Sequence, residues 1–308
     1  METKNFFEPR ETIQLIEYDE YFKLFSLLVS QKKFPKVLML TGEKGIGKFT
    51  FLSHFLHFYF DKNNYDFKKK LITTKSSFHF QFKDNVFPNI YYLNGYDFAN
   101  VKTEDIRNLK SNLAKTPLIN DFRFIVLDDV ETFNPNCLNA LLKIIEEPNN
   151  KDHFILINNK SKDLLETINS RSINIKIILT SERRNRIING LIKSYDQEAI
   201  LDKNYIPISP GNYLKYNYFF YQKKISLNDD LKSILKIIFD LYKKEKNNIY
   251  KDLSIFMIEY YLQKKRLENL YDNYQYIKKR SLLIKNIHNF FLYKLNQNMF
   301  LNSIENNF

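Results

Sequence analysis

The sequence predicts an α/β protein built on a mostly parallel sheet, followed by a small helical segment and then a larger one. Three observations carry this. Short continuous apolar runs alternate with helix-patterned stretches through the first 179 residues. One run, VLMLTG, leads directly into a cluster of glycines and another helix pattern. Beyond about residue 180 the strand signal stops, and 226–308 reads as several long helices.

The elements follow in order. Residues 12–32 place Ile16, Phe22, Leu24, Phe25 and Leu28 at helical spacing. VLMLTG, then glycines, then FLSHFLHFYF predict buried strand, loop and helix. IYYL at 90–93 predicts a second strand, and a helix begins near Thr103 with Glu104 and Asp105 in its first turn. RFIVLDD at 123–129 is a strand tipped with acids. In the next stretch Asn134 can cap, Pro135 suits the first helical position and Pro148 marks the stop. Leu138, Leu141, Leu142 and Ile145 give that helix one buried face. HFILINN at 153–159 and INIKIIL at 173–179 are the last strands. SERRNRIINGLIKSY is helix-like, and PISPGNY at 207–213 reads as a turn. These patterns place boundaries near 178 and 222. They give a nucleotide-binding-type domain over 1–178, a small helical domain over 179–222 and an all-α domain over 223–308.

Composition sets bounds. The 308 residues include 28 Phe and 21 Tyr but only 6 Gly and no Trp, a preference for residues with A+T-rich codons. The net charge of +12 is spread along the chain. It reads as lysine supplied to solvated positions by codon bias, with a nucleic-acid partner as the competing reading. The single Cys137 excludes an intramolecular disulfide framework and a multi-cysteine zinc site. METKNFFEPRET has no apolar signal core, and no run approaches the ~20 apolar residues that span a bilayer. A cytoplasmic protein with no membrane partner is expected. His54, His57, His79, His153 and His288 form no metal-ligand set in the sequence, and no metal site is expected. The Tyr and Phe stripes of the C-terminal helices are expected to be core.

The chemistry lies in three places. TGEKGIGKFT nearly fits the phosphate-binding pattern G-x-x-x-x-G-K-[ST], with Gly42, Gly45, Gly47 and Lys48 present. Such glycines let backbone N–H groups curl around an anion at a helix N-terminus, and the lysine reaches the terminal phosphates. Phe49 stands where a hydroxyl would ligate Mg²⁺, and Thr50 is rotated by about 100° along the helix. Asp128 ends a strand beside this loop, where a carboxylate can position Mg²⁺ and its waters. Asp129 occupies the position at which many ATPases carry a water-activating glutamate, one methylene longer. Third, Ser170-Arg171-Ser172 follows a helix and precedes a strand. Taken alone, its arginine reads as a solvated charge.

The segments KKFPKVLMLTGEKGIGK, FRFIVLDDVETFNPNCLNALLKIIEEP, HFILINNKSKDLLETINSRS and ISPGN, in this order and spacing, resemble the delta prime subunits of the bacterial DNA polymerase III clamp loader, which are AAA+ proteins. The likeness covers roughly residues 12–215. It implies an AAA+ P-loop domain with a parallel sheet, a helical lid, and an all-α collar that joins a hetero-pentamer with gamma/tau and delta subunits. That assembly uses ATP to load the sliding clamp onto primed DNA. The resemblance further implies that Arg171 is an arginine finger for a neighbouring subunit's ATP site, and that Asn158 matches the sensor position. It implies ATP or ADP with Mg²⁺ at the loop, weakly held or not hydrolysed. The zinc module of many relatives has no counterpart, because 51–122 contains no cysteine. Asn212 stands where motor subunits carry a lid arginine, with Lys215 the nearest base. Phe49, Asp129 and Asn212 together favour a stator-like subunit. A competent gamma/tau-like motor ATPase would carry Ser or Thr, Glu and Arg at those positions. A small P-loop kinase is the alternative from another class, and the helical C-terminal third argues against it.

Overall fold

The structure is a computed structural model that describes residues 9–95, 101–203 and 205–305. The start of the chain, read above for targeting, lies mostly outside the described residues. The described chain divides into two compact units, Met1–Leu191 with Ser209–Gly211 and Ile192–Ile208 with Asn212–Phe308.

The first unit begins with α1 (Asp19–Ser30), β1 (Val37–Thr41) and α2 (Lys48–Phe60). A small hairpin follows, β2 (Tyr65–Asp66) and β3 (Leu71–Ile72), and then α3 (Ser77–Lys83) and β4 (Ile90–Asn94). Next come α4 (Thr103–Leu113), β5 (Arg123–Asp128), α5 (Pro135–Ile145) and β6 (Asp152–Asn158). The short α6 (Glu166–Asn169), β7 (Ile173–Lys176) and α7 (Ser181–Ser194) close the series. β4, β5, β6, β1 and β7 lie side by side in that order, with every pairing parallel.

Side chains alternate across this sheet, so β4, β5, β6 and β1 each feed two cores, while the edge strand β7 contributes only Ile175 to one. From β1, Leu38 and Leu40 point into a core shared with Phe25, Phe51 and Phe55, while Val37 and Met39 join Leu109, Leu138 and Leu141 on the other side. The first core is strongly aromatic. Phe25 meets Phe51 and Phe55 edge-on, at centroid distances of 4.9 and 5.1 Å. This is the preferred geometry of ring quadrupoles. The second core is mainly aliphatic.

α5 starts as its sequence requires. The Asn134 side chain accepts from the Cys137 N–H at 2.9 Å, and Pro135 takes the first helical position. At the amino end of the sheet, Arg123 and Asp152 are register partners and form a buried ion pair. Arg123 also donates to the carbonyls of Leu113 and Lys115 at the end of α4, satisfying groups that the helix leaves open.

The structure departs from the sequence reading in several places. The β2–β3 hairpin and α3 have no counterpart there. β7 ends at Lys176 because the chain leaves the sheet after Ile177 N–H bonds to Thr41 O. Residues 210–213 are not a turn but the first turn of α8 (Pro210–Lys223), where a proline lacks only an N–H that no helix would use.

The second unit contains the rest of α8 with α9 (Leu231–Glu245), α10 (Ile249–Leu267), α11 (Asn273–Tyr293) and α12 (Gln297–Glu305). Phe239, Phe290 and Phe300 form its aromatic centre, with Phe239 and Phe290 centroids 4.5 Å apart. Among the described residues no helix is long and apolar enough to cross a membrane.

Candidate nucleotide site

The glycine cluster lies at the carboxyl end of β1, where parallel α/β sheets present their ligand crevices. Gly45 and Gly47 have φ of 83° and 95°, which favour glycine. Gly47 caps α2, whose first residue is Lys48. Gly42 N–H donates to Asn158 O at the end of β6. The Tyr18 hydroxyl donates to Ile46 O, and Gly211 N–H donates to Gly45 O at 2.8 Å. A Cβ on Gly211 would stand 2.9 Å from that same oxygen, so helix and loop meet backbone to backbone.

Lys48 is buried, and its Nζ donates to the carbonyls of Gly42 at 2.9 Å and Glu43 at 2.8 Å. Burial pulls its pKa down to about 8, against the opposing pull of Asp128, Asp129, Glu131 and Glu43. Glu43 in turn pairs with Arg184 of α7 at 3.0 Å. A second guanidinium nitrogen of Arg184, Nη1, is buried without a hydrogen-bond partner. The loop is thus closed on itself, with the lysine using its own backbone as acceptor.

Phe49 is buried and meets Tyr92 of β4 edge-on. The Arg10 guanidinium lies 4.0 Å from the Tyr92 ring centroid and 5.9 Å from that of Phe49. Thr50 is half-buried one position further along α2. Asp128 accepts from the Tyr92 hydroxyl at 3.3 Å and from the Asp129 N–H at 2.9 Å. Burial, reinforced by the neighbouring Asp129 carboxylate, pushes its pKa up to about 7.

Asp129 adopts a left-handed conformation with φ of 51°, and its Oδ1 accepts from Asn159 Nδ2 at 2.7 Å. Asn158 turns inward and accepts from the Lys160 N–H. The buried Glu131 accepts from Asn159 N–H, Ser161 N–H and the Ser161 hydroxyl through one oxygen. Glu131, Asn159, Tyr92, Arg10 and Arg184 were not singled out by sequence. Only their positions in space join them to the loop. Asn212 belongs to the second unit.

Fit to a ligand divides cleanly. Positive-φ glycines, a helix N-terminus and a buried lysine suit a phosphate group. The metal side fits poorly: a phenyl ring stands where the hydroxyl would be, and Asp128 is engaged by the Tyr92 hydroxyl and the Asp129 N–H. Among the described residues no group of three or more His, Cys, Asp or Glu side chains could hold a metal ion. His54 and His57 pack inside the first core instead. His54 contacts the Tyr65 hydroxyl and Thr12 O, and His57 contacts Ser53 O and His79.

Arg171 lies elsewhere. In the parallel register of β1 and β7, Ile173 pairs with Leu38 and Lys176 with Thr41. The phosphate loop follows Thr41, whereas Arg171 precedes Ile173. The two therefore leave opposite ends of neighbouring strands, separated by roughly 10 Å of sheet or more. Arg171 is exposed, donates to Thr167 O at 2.9 Å and pairs with Glu146 at 2.9 Å.

A five-stranded parallel sheet in this order, with a phosphate loop after β1 and an acid-tipped β5 two strands away, is the architecture of an AAA+ P-loop protein. A model of the family described as DNA polymerase III, delta subunit, matches residues 18–181, and the chain belongs to that clamp-loader family. A DNA polymerase III gamma subunit from Buchnera aphidicola (Schizaphis graminum strain) is 31% identical over 107 residues, 33% of this chain and 30% of that one. A delta prime subunit from Pseudomonas aeruginosa is 32% identical over 73 residues, 24% of this chain and 22% of that one. The chain thus spans less than a third of the length of these relatives. A gamma subunit-related protein from Thermotoga maritima superposes with a TM-score of 0.49 and 16% identity, covering 91% of this chain and 96% of that one.

Proposed function

We propose that the chain is the delta prime, stator-like subunit of a DNA polymerase III clamp loader. The observation that carries this reading is the phosphate loop closed on its own lysine, with Phe49 and Tyr92 filling its metal side. Such a loop serves as a joint rather than an engine. A nucleotide phosphate entering it would have to take Lys48 from the Gly42 and Glu43 carbonyls, and ATP or ADP bound there would not be hydrolysed.

The chain's chemical contribution is then Arg171. Its place at the amino end of the sheet keeps it from its own loop but leaves it exposed for another subunit. There its guanidinium would offset charge on the phosphoryl group transferred at the neighbour's site. Residues 179–222 would act as the lid and 223–308 as the collar that joins gamma/tau and delta subunits. The assembly would load the sliding clamp onto primed DNA in the cytoplasm. Similarity to gamma as well as delta prime relatives keeps a motor role as the second reading.

Reconstitution separates the two. The chain alone is expected to show no Mg²⁺-dependent ATP turnover, and steady turnover would establish the motor reading. Arg171→Ala is expected to assemble with the other subunits and to slow their hydrolysis. The substitution removes an exposed ion pair, worth about 0–1 kcal/mol, and an exposed hydrogen bond to Thr167 O, so assembly of the variant would show that a loss of turnover does not reflect misfolding. Unchanged turnover in the complex would remove the finger role.

A further inference from the structure

The corner between α10 and α11 departs from the expectation that the C-terminal aromatics are core. Residues 264–280 hold six basic side chains, Lys264, Lys265, Arg266, Lys278, Lys279 and Arg280, against two acids, Glu268 and Asp272. This is a local concentration within a charge that is otherwise spread along the chain. Four of the cations from this corner lie against tyrosine faces. Lys279 is 4.7 Å from the Tyr271 centroid and Arg266 is 4.9 Å from that of Tyr276. Lys265 and Lys278 stand over Tyr261 and Tyr274 at 5.5 and 5.9 Å.

A ring face brings no opposing charge to a cation, whereas a carboxylate offsets it, as Glu259 of α10 does for Arg280. With Glu259, Glu268 and Asp272 set against the six cations, the corner remains net positive. It also presents apolar surface, with Tyr274 71% exposed and Ile277 64% exposed. Packing another protein's helix here would require removing several net charges from water, which is costly without matching carboxylates. A polyanion instead neutralises them and releases its counterions.

We infer that the α10–α11 corner binds single-stranded DNA, with phosphates on Lys265, Lys278 and Lys279 and an unstacked base on Tyr274. Basic side chains interleaved with aromatic rings are the recognition surface that single strands use, because every base has a face to stack. A duplex keeps its bases inside and would leave Tyr274 unused. The choice of DNA over RNA rests on the proposed clamp-loader function, and the rest of the inference stands on the surface itself.

The test measures binding of the full chain to an oligothymidylate of about 25 nucleotides by fluorescence anisotropy, between about 50 and 200 mM salt. The triple variant Lys265→Gln, Lys278→Gln and Lys279→Gln keeps much of each stem's packing. It is expected to bind at least about tenfold more weakly and to flatten the logarithmic salt slope by about 2, as loss of three phosphate contacts requires. Tyr274→Ala, at an exposed position, is expected to weaken binding about fivefold or more with the slope unchanged.

Wild-type affinity in both variants would overturn the site. So would equal wild-type affinity for phosphatidylserine vesicles or polyglutamate, which would mark a surface for lipid or acidic protein. Tighter binding of oligouridylate would overturn the assignment to DNA. Co-purification with clamp-loader subunits is read separately. Assembly without oligonucleotide binding refutes this surface alone, and binding without assembly refutes only the subunit assignment.

Discussion

Phe49 meets Tyr92 edge-on, with ring centroids 4.9 Å apart, at the position where a phosphate loop would offer a hydroxyl to Mg²⁺. The Tyr92 hydroxyl continues the contact to Asp128, the acid that would otherwise attract the metal. One aromatic pair thus occupies the metal side and engages its carboxylate. Phe49→Thr is expected to cost about 3 kcal/mol in urea unfolding, through the lost burial and the cavity left beside Tyr92. In the unsubstituted chain, any rise in Tm on adding ATP is expected to be the same with Mg²⁺ as with EDTA. A larger rise with Mg²⁺ would show that the metal side is usable.

Asp128 should make stability depend on pH in the direction opposite to an ordinary paired carboxylate. Its folded pKa of about 7 lies above the reference of 3.8, so between these values the folded state holds a proton that the unfolded chain has lost. Its contribution therefore falls as pH rises through that window and levels off above about 7. Asp128→Asn removes the effect. Relative to the parent, the variant is expected to gain stability between pH 5 and pH 8, read as the shift in urea midpoint. A difference that is the same at both pH values would show that this carboxyl is ionised throughout.

Acid should destabilise the first unit through its buried histidines. His57 is packed edge-on against Phe78 and Phe82, and burial lowers its pKa to about 4. His54 is lowered to about 3 for the same leading reason. The unfolded chain takes up protons near the ordinary value of 6.5 while the folded chain resists, so stability is lost as pH falls from 6.5 toward 4. His57→Gln is expected to be less stable at pH 7 but to lose less between pH 6.5 and 4.5. A thermal melt series at several pH values measures both effects. An unchanged slope would assign the acid sensitivity elsewhere.

The Arg123–Asp152 pair ties β5, β6 and the end of α4 together, with Arg123 Nε 2.6 Å from Asp152 Oδ1. Asp152→Asn leaves a buried guanidinium without its counter-charge and is expected to cost about 3–5 kcal/mol. Arg123→Met combined with Asp152→Leu is expected to cost less than Asp152→Asn alone. Additive losses would show that the two side chains act separately.

Much of the first unit was legible because its signals are local. VLMLT and RFIVLD are apolar runs with no helical period, and Asn134 with Pro135 states a helix start within two residues. The loop was legible from glycine spacing, and the defect at Phe49 from one missing hydroxyl. What closes the site was not legible. Arg10, Tyr92, Asn159 and Arg184 act across separations of tens to more than a hundred residues, and no period in the sequence marks them. The β2–β3 hairpin escaped because two-residue strands carry too few side chains to show alternation. Many of the C-terminal aromatics are core as their spacing suggests, Tyr250, Tyr260, Phe239, Phe290 and Phe300 among them. Tyr274 departs from that pattern because only the turn after α10 shows that this end lies open to solvent.

The backbone contact between Gly211 and Gly45 has a consequence for the chain's history. Glycine codons are rich in G and C, and drift toward A and T would steadily replace glycines with bulkier residues. Yet Gly211 has a carbonyl 2.9 Å from where a side chain would begin, and a side chain on Gly95 would run into the Thr132 hydroxyl. Gly42, Gly95 and Gly211 are three of only six glycines in the chain, and at each a side chain would begin within 3.0 Å of a backbone oxygen. A composition that otherwise avoids glycine keeps it at points where the fold has no room to yield.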